Sequence, residues 1–226
     1  MIHSNLENTT GARGNPHIFF MIYYPIKLKD PDGRTATYSI DEENKTININ
    51  VDITVHGNVD NLQQIANEYK AGIDAAWGKD SNGNAWQMNI NGSDYSVNFN
   101  VTVTADTNLD SETAIKNNRT GGTKNIILAS PTIASSNVTE GFFGIWVTVP
   151  RLGVSVAESA AHEFGHLLGF RDRYDPSSGK THDGYTNTIM STSAKRSVDQ
   201  RHISALGNYI SESGGNTGVI RVDQKF

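Results

Sequence analysis

The sequence predicts an α+β protein built on a twisted mixed β-sheet, and three observations carry that prediction. Ile47, Ile49, Val51, Ile53 and Val55 alternate strictly with polar residues, the period of a half-buried strand. Leu62, Ile65, Ala66, Tyr69, Ile73, Ala76 and Trp77 recur on one face at the helical period, which predicts a helix from Asn61 to Trp77. Tyr95, Val97, Phe99, Val101 and Val103 then alternate again. Strand, helix and strand in succession predict a right-handed crossover onto one sheet.

The remaining elements follow in chain order. Residues 1–33 differ in character from the rest and are expected to be an N-terminal extension or linker, with the main domain at 34–226. Asn, Thr and Gly crowd the first fifteen positions, Ile18 to Tyr24 form a short apolar patch, and Asp30-Pro31-Asp32-Gly33 has the composition of a turn. Between Trp77 and Tyr95, Asp80 to Asn84 predict a loop, and Trp86, Met88 and Ile90 a strand. Asn91-Gly92 marks the hairpin turn that follows. Further strands are expected at Asn125–Ala129 and Phe142–Val149. The second of these is expected to be a sheet edge that a peptide could join as an added strand.

A second helix begins after Ser155, whose spacing from Glu158 is that of a capping box, and runs to Leu168, where Gly169 stops it. Residues Arg171 to Thr188 are polar and without period. Ser197 and Gln200 have capping-box spacing and are expected to open a final helix, with Val198, Ile203, Leu206, Tyr209 and Ile210 apolar and the tail frayed after Ser213.

Composition bounds the function. The chain has 226 residues, 36% hydrophobic and 19% charged, enough to bury a core without staples. A net charge of −5 gives no electrostatic reason to expect nucleic acid as a partner. There is no Cys, which excludes disulfides, thiolate metal sites and a Cys nucleophile. The apolar run Ile18–Tyr24 is far short of the ~20 residues that span a bilayer. No Lys or Arg precedes Arg13 and no small-residue cleavage site follows the apolar run, so the chain opens without a clear signal peptide. A secreted protein or a delivered effector is nevertheless the expectation.

The second helix carries His162-Glu163-Phe164-Gly165-His166, an H-E-x-x-H motif. Residues four apart share one helix face, so both imidazoles can bind one metal ion. Glu163, beside the first His, can contact a water held there, take its proton and return it to a leaving amine. Ala160, Ala161, Phe164, Leu167 and Leu168 cluster on the opposite side and are expected to face the core. The string continues to Gly169 and Asp172. A glycine there lets the chain leave the helix through a positive-φ turn, and Asp172 can then return as a third ligand, leaving a fourth position open, as in catalytic zinc sites. Asp175, His182 and Asp183 are alternative third ligands. A carboxylate ligand adds a negative charge where a His would add none, weakening the metal as a Lewis acid.

The run His162-Glu163-x-x-His166-x-x-Gly169-x-x-Asp172 resembles the motif of the metzincin clan of zinc metallopeptidases, in the snapalysin-like variant with Asp as third ligand. The resemblance covers about residues 158–210. It implies a zincin-like fold whose small C-terminal subdomain holds a Met-turn and a final helix, with the active-site cleft between the two parts. It implies one catalytic Zn2+ on His162, His166 and Asp172, with Glu163 as general base and a peptide or protein as substrate. Met190, in Asn187-Thr188-Ile189-Met190-Ser191, matches the Met-turn in spacing. Metzincins often carry Tyr two residues after that Met; here the position is Thr192, and Tyr174 and Tyr185 are the nearest substitutes.

Two other readings accompany the endopeptidase. One is an effector or toxin metallopeptidase module with few targets, suggested by the Asp30–Arg34 junction. The other is a zinc-binding interaction module without turnover. Asp106, Asn108, Asp110 and Glu112 alternate as a structural Ca2+ loop could, but lack the glycine of an EF-hand. Oligomeric state is not legible.

Overall fold

The structure, a computed structural model, describes residues 36–119, 125–133, 135–139, 143–150, 153–192 and 196–220. The N-terminal extension expected at 1–33 lies outside them. The central strand is β2 (Thr46–His56), as its alternation predicts. From it the chain enters helix α1 (Leu62–Trp77) and crosses to the far edge of the sheet at β3 (Trp86–Ile90). A hairpin then brings back β4 (Ser93–Ala105), which pairs with β2 in parallel over Thr46–Val55. The turn between β3 and β4 works as Asn-Gly turns do: Asn91 and Gly92 both have positive φ, at 51° and 86°.

On the other side of β2 lie β5 (Asn125–Ser130) and β7 (Phe143–Val147), each parallel to its neighbour. The sheet is therefore mixed, and the α+β class predicted from the sequence is observed. It also holds strands with weaker local signals. β1 (Ala36–Asp41) pairs antiparallel with β2, and β8 (Thr217–Ile220) pairs with β1. The segment after Ser213 is thus not wholly frayed: Thr217–Ile220 become a strand because β1 offers them backbone partners. β6 (Asn137–Thr139) pairs antiparallel with Phe143–Ile145 of β7. The edge expected at Phe142–Val149 is therefore covered over that stretch, and β6 takes its place. Of the alternating acidic run Asp106–Glu112, Glu112 lies in the first turn of helix α2 (Ser111–Arg119) and the rest precede it.

One face of β2 and β4 is a polar ladder. The Asn98 amide donates to Asn48 Oδ1 at 3.3 Å and that of Asn100 to Asn50 Oδ1 at 3.0 Å, across partnered positions of the parallel register. The other face carries the core, on which α1 and helix α3 (Val156–Leu167) pack together. Trp77, at the end of α1, is fully buried and touches four rings: Phe99, Phe164, Phe170 and His202. Each such aromatic pair contributes about 0.5–1.5 kcal/mol beyond the area it buries. Its indole N–H donates to the Ala161 carbonyl of α3 at 2.9 Å, and its own carbonyl accepts from the Trp86 indole at 2.8 Å. One side chain thus fixes α3 against α1 and against the β3 edge.

The final helix, α4 (Gln200–Ser213), begins later than its sequence suggests. Asp199 caps it, accepting from the Arg201 N–H at 2.9 Å, while His202 Nδ1 accepts from the Asp199 N–H at 3.2 Å. Ser197 is occupied elsewhere, its backbone bonded to Asn187 and Ile189. The pairing across the chain outcompetes the local capping spacing.

The close approach of α1 and α3 generates a prediction. A β-carbon at Gly72 would collide with the backbone of Ala157. Gly72→Ala should destabilise the protein by about 1–3 kcal/mol, despite alanine's better helix propensity, because the helices must part. A lower urea midpoint with unchanged slope is the expected result; an unchanged midpoint would mean the two backbones are not in contact.

Candidate metal centre

Helix α3 starts as its sequence requires. Ser155 Oγ accepts from the Glu158 N–H at 3.1 Å, and the Glu158 carboxylate accepts from the Ser155 N–H at 2.9 Å, the reciprocal bonds of a capping box. Ala160, Ala161, Phe164, Leu167 and Leu168 are buried, the apolar face the periodicity predicts. Gly165 has a steric role, since a β-carbon there would run into the sulfur of Met190.

The helix ends at Gly169, whose φ is 92°. The Phe170 N–H reaches back to the Gly165 carbonyl and the Gly169 N–H to the His166 carbonyl, both at 3.0 Å. This pair of bonds is the Schellman motif, which needs a left-handed residue where glycine stands. It reverses the chain immediately, so Phe170 to Ser191 can pass over the His-bearing face of α3. The two imidazoles therefore do not point into open solvent: His162 is buried and His166 half-buried.

That return supplies their orientation. His162 Nδ1 lies 2.7 Å from the Ile189 carbonyl oxygen, and His166 Nδ1 lies 2.7 Å from that of Phe170. A carbonyl can only accept, so each Nδ1 carries the proton. In a neutral imidazole the other nitrogen, Nε2, is then a bare lone pair. Both Nε2 atoms converge on Oδ1 of Asp172, at 3.1 Å for His162 and 3.4 Å for His166. Neither contact has hydrogen-bond geometry, and that oxygen is buried without a partner.

Three electron-pair donors facing one another can share a cation, either a proton on an imidazole or a metal ion. His162, His166 and Asp172 could hold a metal ion, with one ligand atom from each lying within 4.8 Å of the others. Imidazole and carboxylate donors fixed by outer hydrogen bonds suit a divalent transition metal.

Met190 is buried in a tight turn beneath the helix. The Ser191 N–H donates to the Thr188 carbonyl at 3.0 Å, and the Met190 carbonyl accepts from the Arg173 N–H at 2.8 Å. The turn thus holds the chain next to Asp172 through backbone bonds, while the Met190 sulfur abuts α3 at Gly165. Glu163 is buried beside the group, and its Oε2 has no hydrogen-bond partner. Burial pushes its carboxyl up from the ordinary value, against the pull of His166 and His162. Burial alone would raise Asp172 too, but an imidazolium beside it, with a proton on Nε2, outweighs burial and holds that carboxyl well below the usual carboxylate range.

The structure separates the remaining candidates. Asp175 is spent on its own turn, accepting from the N–H groups of Ser177 and Ser178. His182 and Asp183 are exposed and do not join the group. Tyr185 is engaged otherwise: the guanidinium groups of Arg173 and Arg201 lie over its ring, 4.7 and 4.8 Å from its centre. Tyr174 is the tyrosine that faces the site; burial and the Asp172 carboxylate push its hydroxyl up to about 12. Asp106 and Asp110 bond the amides of Asn108 and Thr113, the latter opening α2, and no second metal-binding group occurs among the described residues. Arg196, half-buried near Glu163, was not legible in the sequence, where it stands in a polar run without a motif.

In comparisons with known proteins, no protein-family model and no curated protein matches the chain. The metzincin resemblance therefore rests on the residues themselves.

Protons and a metal compete for this site. Burial opposes protonation of His166, but Asp172, Glu163 and the Phe170 carbonyl together raise its pKa above 6.5. A raised pKa stabilises the metal-free fold below about pH 6.5, and the contribution is lost as pH rises through the folded-state value. A metal ion acts in the opposite sense, because it needs deprotonated imidazoles. The rise in melting temperature on adding zinc should thus be larger near neutral pH than two units below it, and disappear in Asp172→Ala. An equal rise at both pH values would place the bound zinc elsewhere.

Proposed function

We propose that the protein is a zinc-dependent endopeptidase. The observation that carries this reading is the convergence of His162 Nε2, His166 Nε2 and Asp172 Oδ1 beside the buried, unpartnered Oε2 of Glu163. His162, His166 and Asp172 would hold the zinc. When bound, zinc polarises a peptide carbonyl and makes a nearby water more acidic.

The chain's own residues do the rest. The carbonyls of Ile189 and Phe170 keep both imidazoles in the tautomer that presents Nε2. Glu163 receives the proton of the attacking water at Oε2 and delivers it to the leaving amine nitrogen. Burial raises the carboxyl from its ordinary value, which makes it a stronger base toward that proton. Met190 and Gly165 set the depth at which α3 meets the turn that carries Ile189. A purely structural metal site has no use for an unpaired buried carboxylate next to the ligands, which favours turnover over the interaction-module reading.

Digestion of a diverse peptide library, with cuts read by mass spectrometry, tests the proposal. Glu163→Gln should lower the rate of cutting by about 10²–10⁴-fold. It should leave zinc content unchanged. Cuts that persist at full rate in Glu163→Gln would refute the role given to Glu163. A protein that binds zinc stoichiometrically and cuts nothing would favour the interaction module.

A further inference from the structure

The proposed chemistry leaves His202 unused. It stands at the third position of α4, where a capping box ordinarily carries Glu or Gln. Either of those would accept the backbone N–H of the cap, as His202 Nδ1 does from Asp199 at 3.2 Å. Glu and Gln are mostly surface residues, whereas His202 is buried. Capping alone therefore does not account for a histidine here.

What the imidazole adds is a flat ring. Its centre lies 5.2 Å from that of the Phe170 ring, with the two planes at 74°, and 5.9 Å from that of Trp77, at 76°. Trp77 in turn stacks on Phe170 at 5.8 Å. Three rings from separate segments thus meet pairwise: the end of α1, the turn after α3 and the start of α4. Stacked and edge-to-face contacts each favour a particular orientation of the rings, so Phe170 is held from two sides.

The metal centre hangs on Phe170. Its N–H closes the reversal after α3 at the Gly165 carbonyl, and its own carbonyl lies 2.7 Å from His166 Nδ1. Asp172 follows two residues later. A slide of the backbone at Phe170 would therefore turn one candidate ligand and carry another with it. His202 is not a member of the ligand group, so any effect it has on the metal passes through Phe170.

We infer that His202 is a positioning residue of the metal centre: its ring backs Phe170, so that the Phe170 carbonyl stays on His166. This rests on the reading of His162, His166 and Asp172 as metal ligands. His202 then has two separable tasks. Nδ1 starts α4, and the ring holds Phe170.

Two substitutions in the full-length protein separate these tasks. His202→Gln keeps an acceptor for the Asp199 N–H and removes the ring; His202→Phe keeps a ring and removes the acceptor. Zinc affinity is measured by competition with a chromogenic chelator, and stability by the urea midpoint of the metal-free protein. The visible absorption of the Co2+-loaded protein reports the geometry of the ligands. His202→Gln should weaken zinc binding by about 10-fold, the low end of what partners of metal ligands contribute, and shift the Co2+ bands. His202→Phe should lower the urea midpoint through the lost cap, yet keep the zinc affinity and the Co2+ spectrum of the wild type. Phe170→Leu, which removes the ring that His202 touches and keeps the carbonyl, should reproduce the loss and the shift, and carries the test if the Gln variant does not fold. Wild-type affinity and spectrum in His202→Gln or in Phe170→Leu would overturn the inference and leave the metal centre standing. So would losses of affinity in both His202 variants that follow their losses of stability, the result of a merely structural role. A wild-type protein that binds no zinc would overturn the metal reading, and the inference with it.

Discussion

The hydrogen bonds from His162 Nδ1 to the Ile189 carbonyl and from His166 Nδ1 to the Phe170 carbonyl decide what the rest of the site can be. Each fixes a ring plane and a tautomer together, leaving both Nε2 lone pairs aimed at one point. The two acceptors come from different places. Phe170 lies just past the end of the helix, whereas Ile189 arrives after a long irregular excursion. The site can form only if the chain reverses at Gly169 and returns at the right height over α3.

Much of the fold serves that height. Trp77 bonds the backbone of α3 at Ala161 and stacks on Phe170, so one buried ring touches both the helix and the segment that folds back over it. The backbones of α1 and α3 meet at Gly72, and the Met190 sulfur fills the space that Gly165 leaves open. These contacts tolerate little added volume, as expected where backbone meets backbone and a thioether meets a helix. Arg173 and Arg201, both over the ring of Tyr185, tie the excursion to the start of α4.

The electrostatics of the centre show what this positioning costs. Two lone pairs, the Asp172 carboxylate and the Glu163 carboxylate share a largely buried volume, and one oxygen of each acid lacks a hydrogen bond. Such groups are expensive to bury without a compensating cation. An imidazolium beside Asp172 keeps it ionised while burial raises Glu163, so two neighbouring carboxyl groups are pushed toward different tasks.

Much of the scaffold was legible in the residues. The alternation of Ile47–Val55, the helical face of Leu62–Trp77, the Asn91-Gly92 turn, the Ser155–Glu158 capping box and the Gly169 stop are local signals, and each appears where its chemistry put it. The spacing of His162, Glu163 and His166 is equally local, because one helical turn alone brings i and i+4 together. The elements that escaped are those whose stability lies in their partners. β1 and β8 exist because they pair across most of the chain. α2 is short and mostly polar in sequence, buries Ala114, and is opened by Asp110, which alone suggested a loop. Ser197 had the spacing of a cap but gave its backbone to Asn187 and Ile189, leaving Asp199 to start α4. Among Asp172, Asp175, His182 and Asp183 the sequence offered four third ligands, spread over positions 172–183. Only the tertiary path past Gly169 brought Asp172 to the imidazoles, spent Asp175 on its own turn and left the other two exposed, because the separation of groups across an irregular segment is set by where its ends are anchored and not by its length.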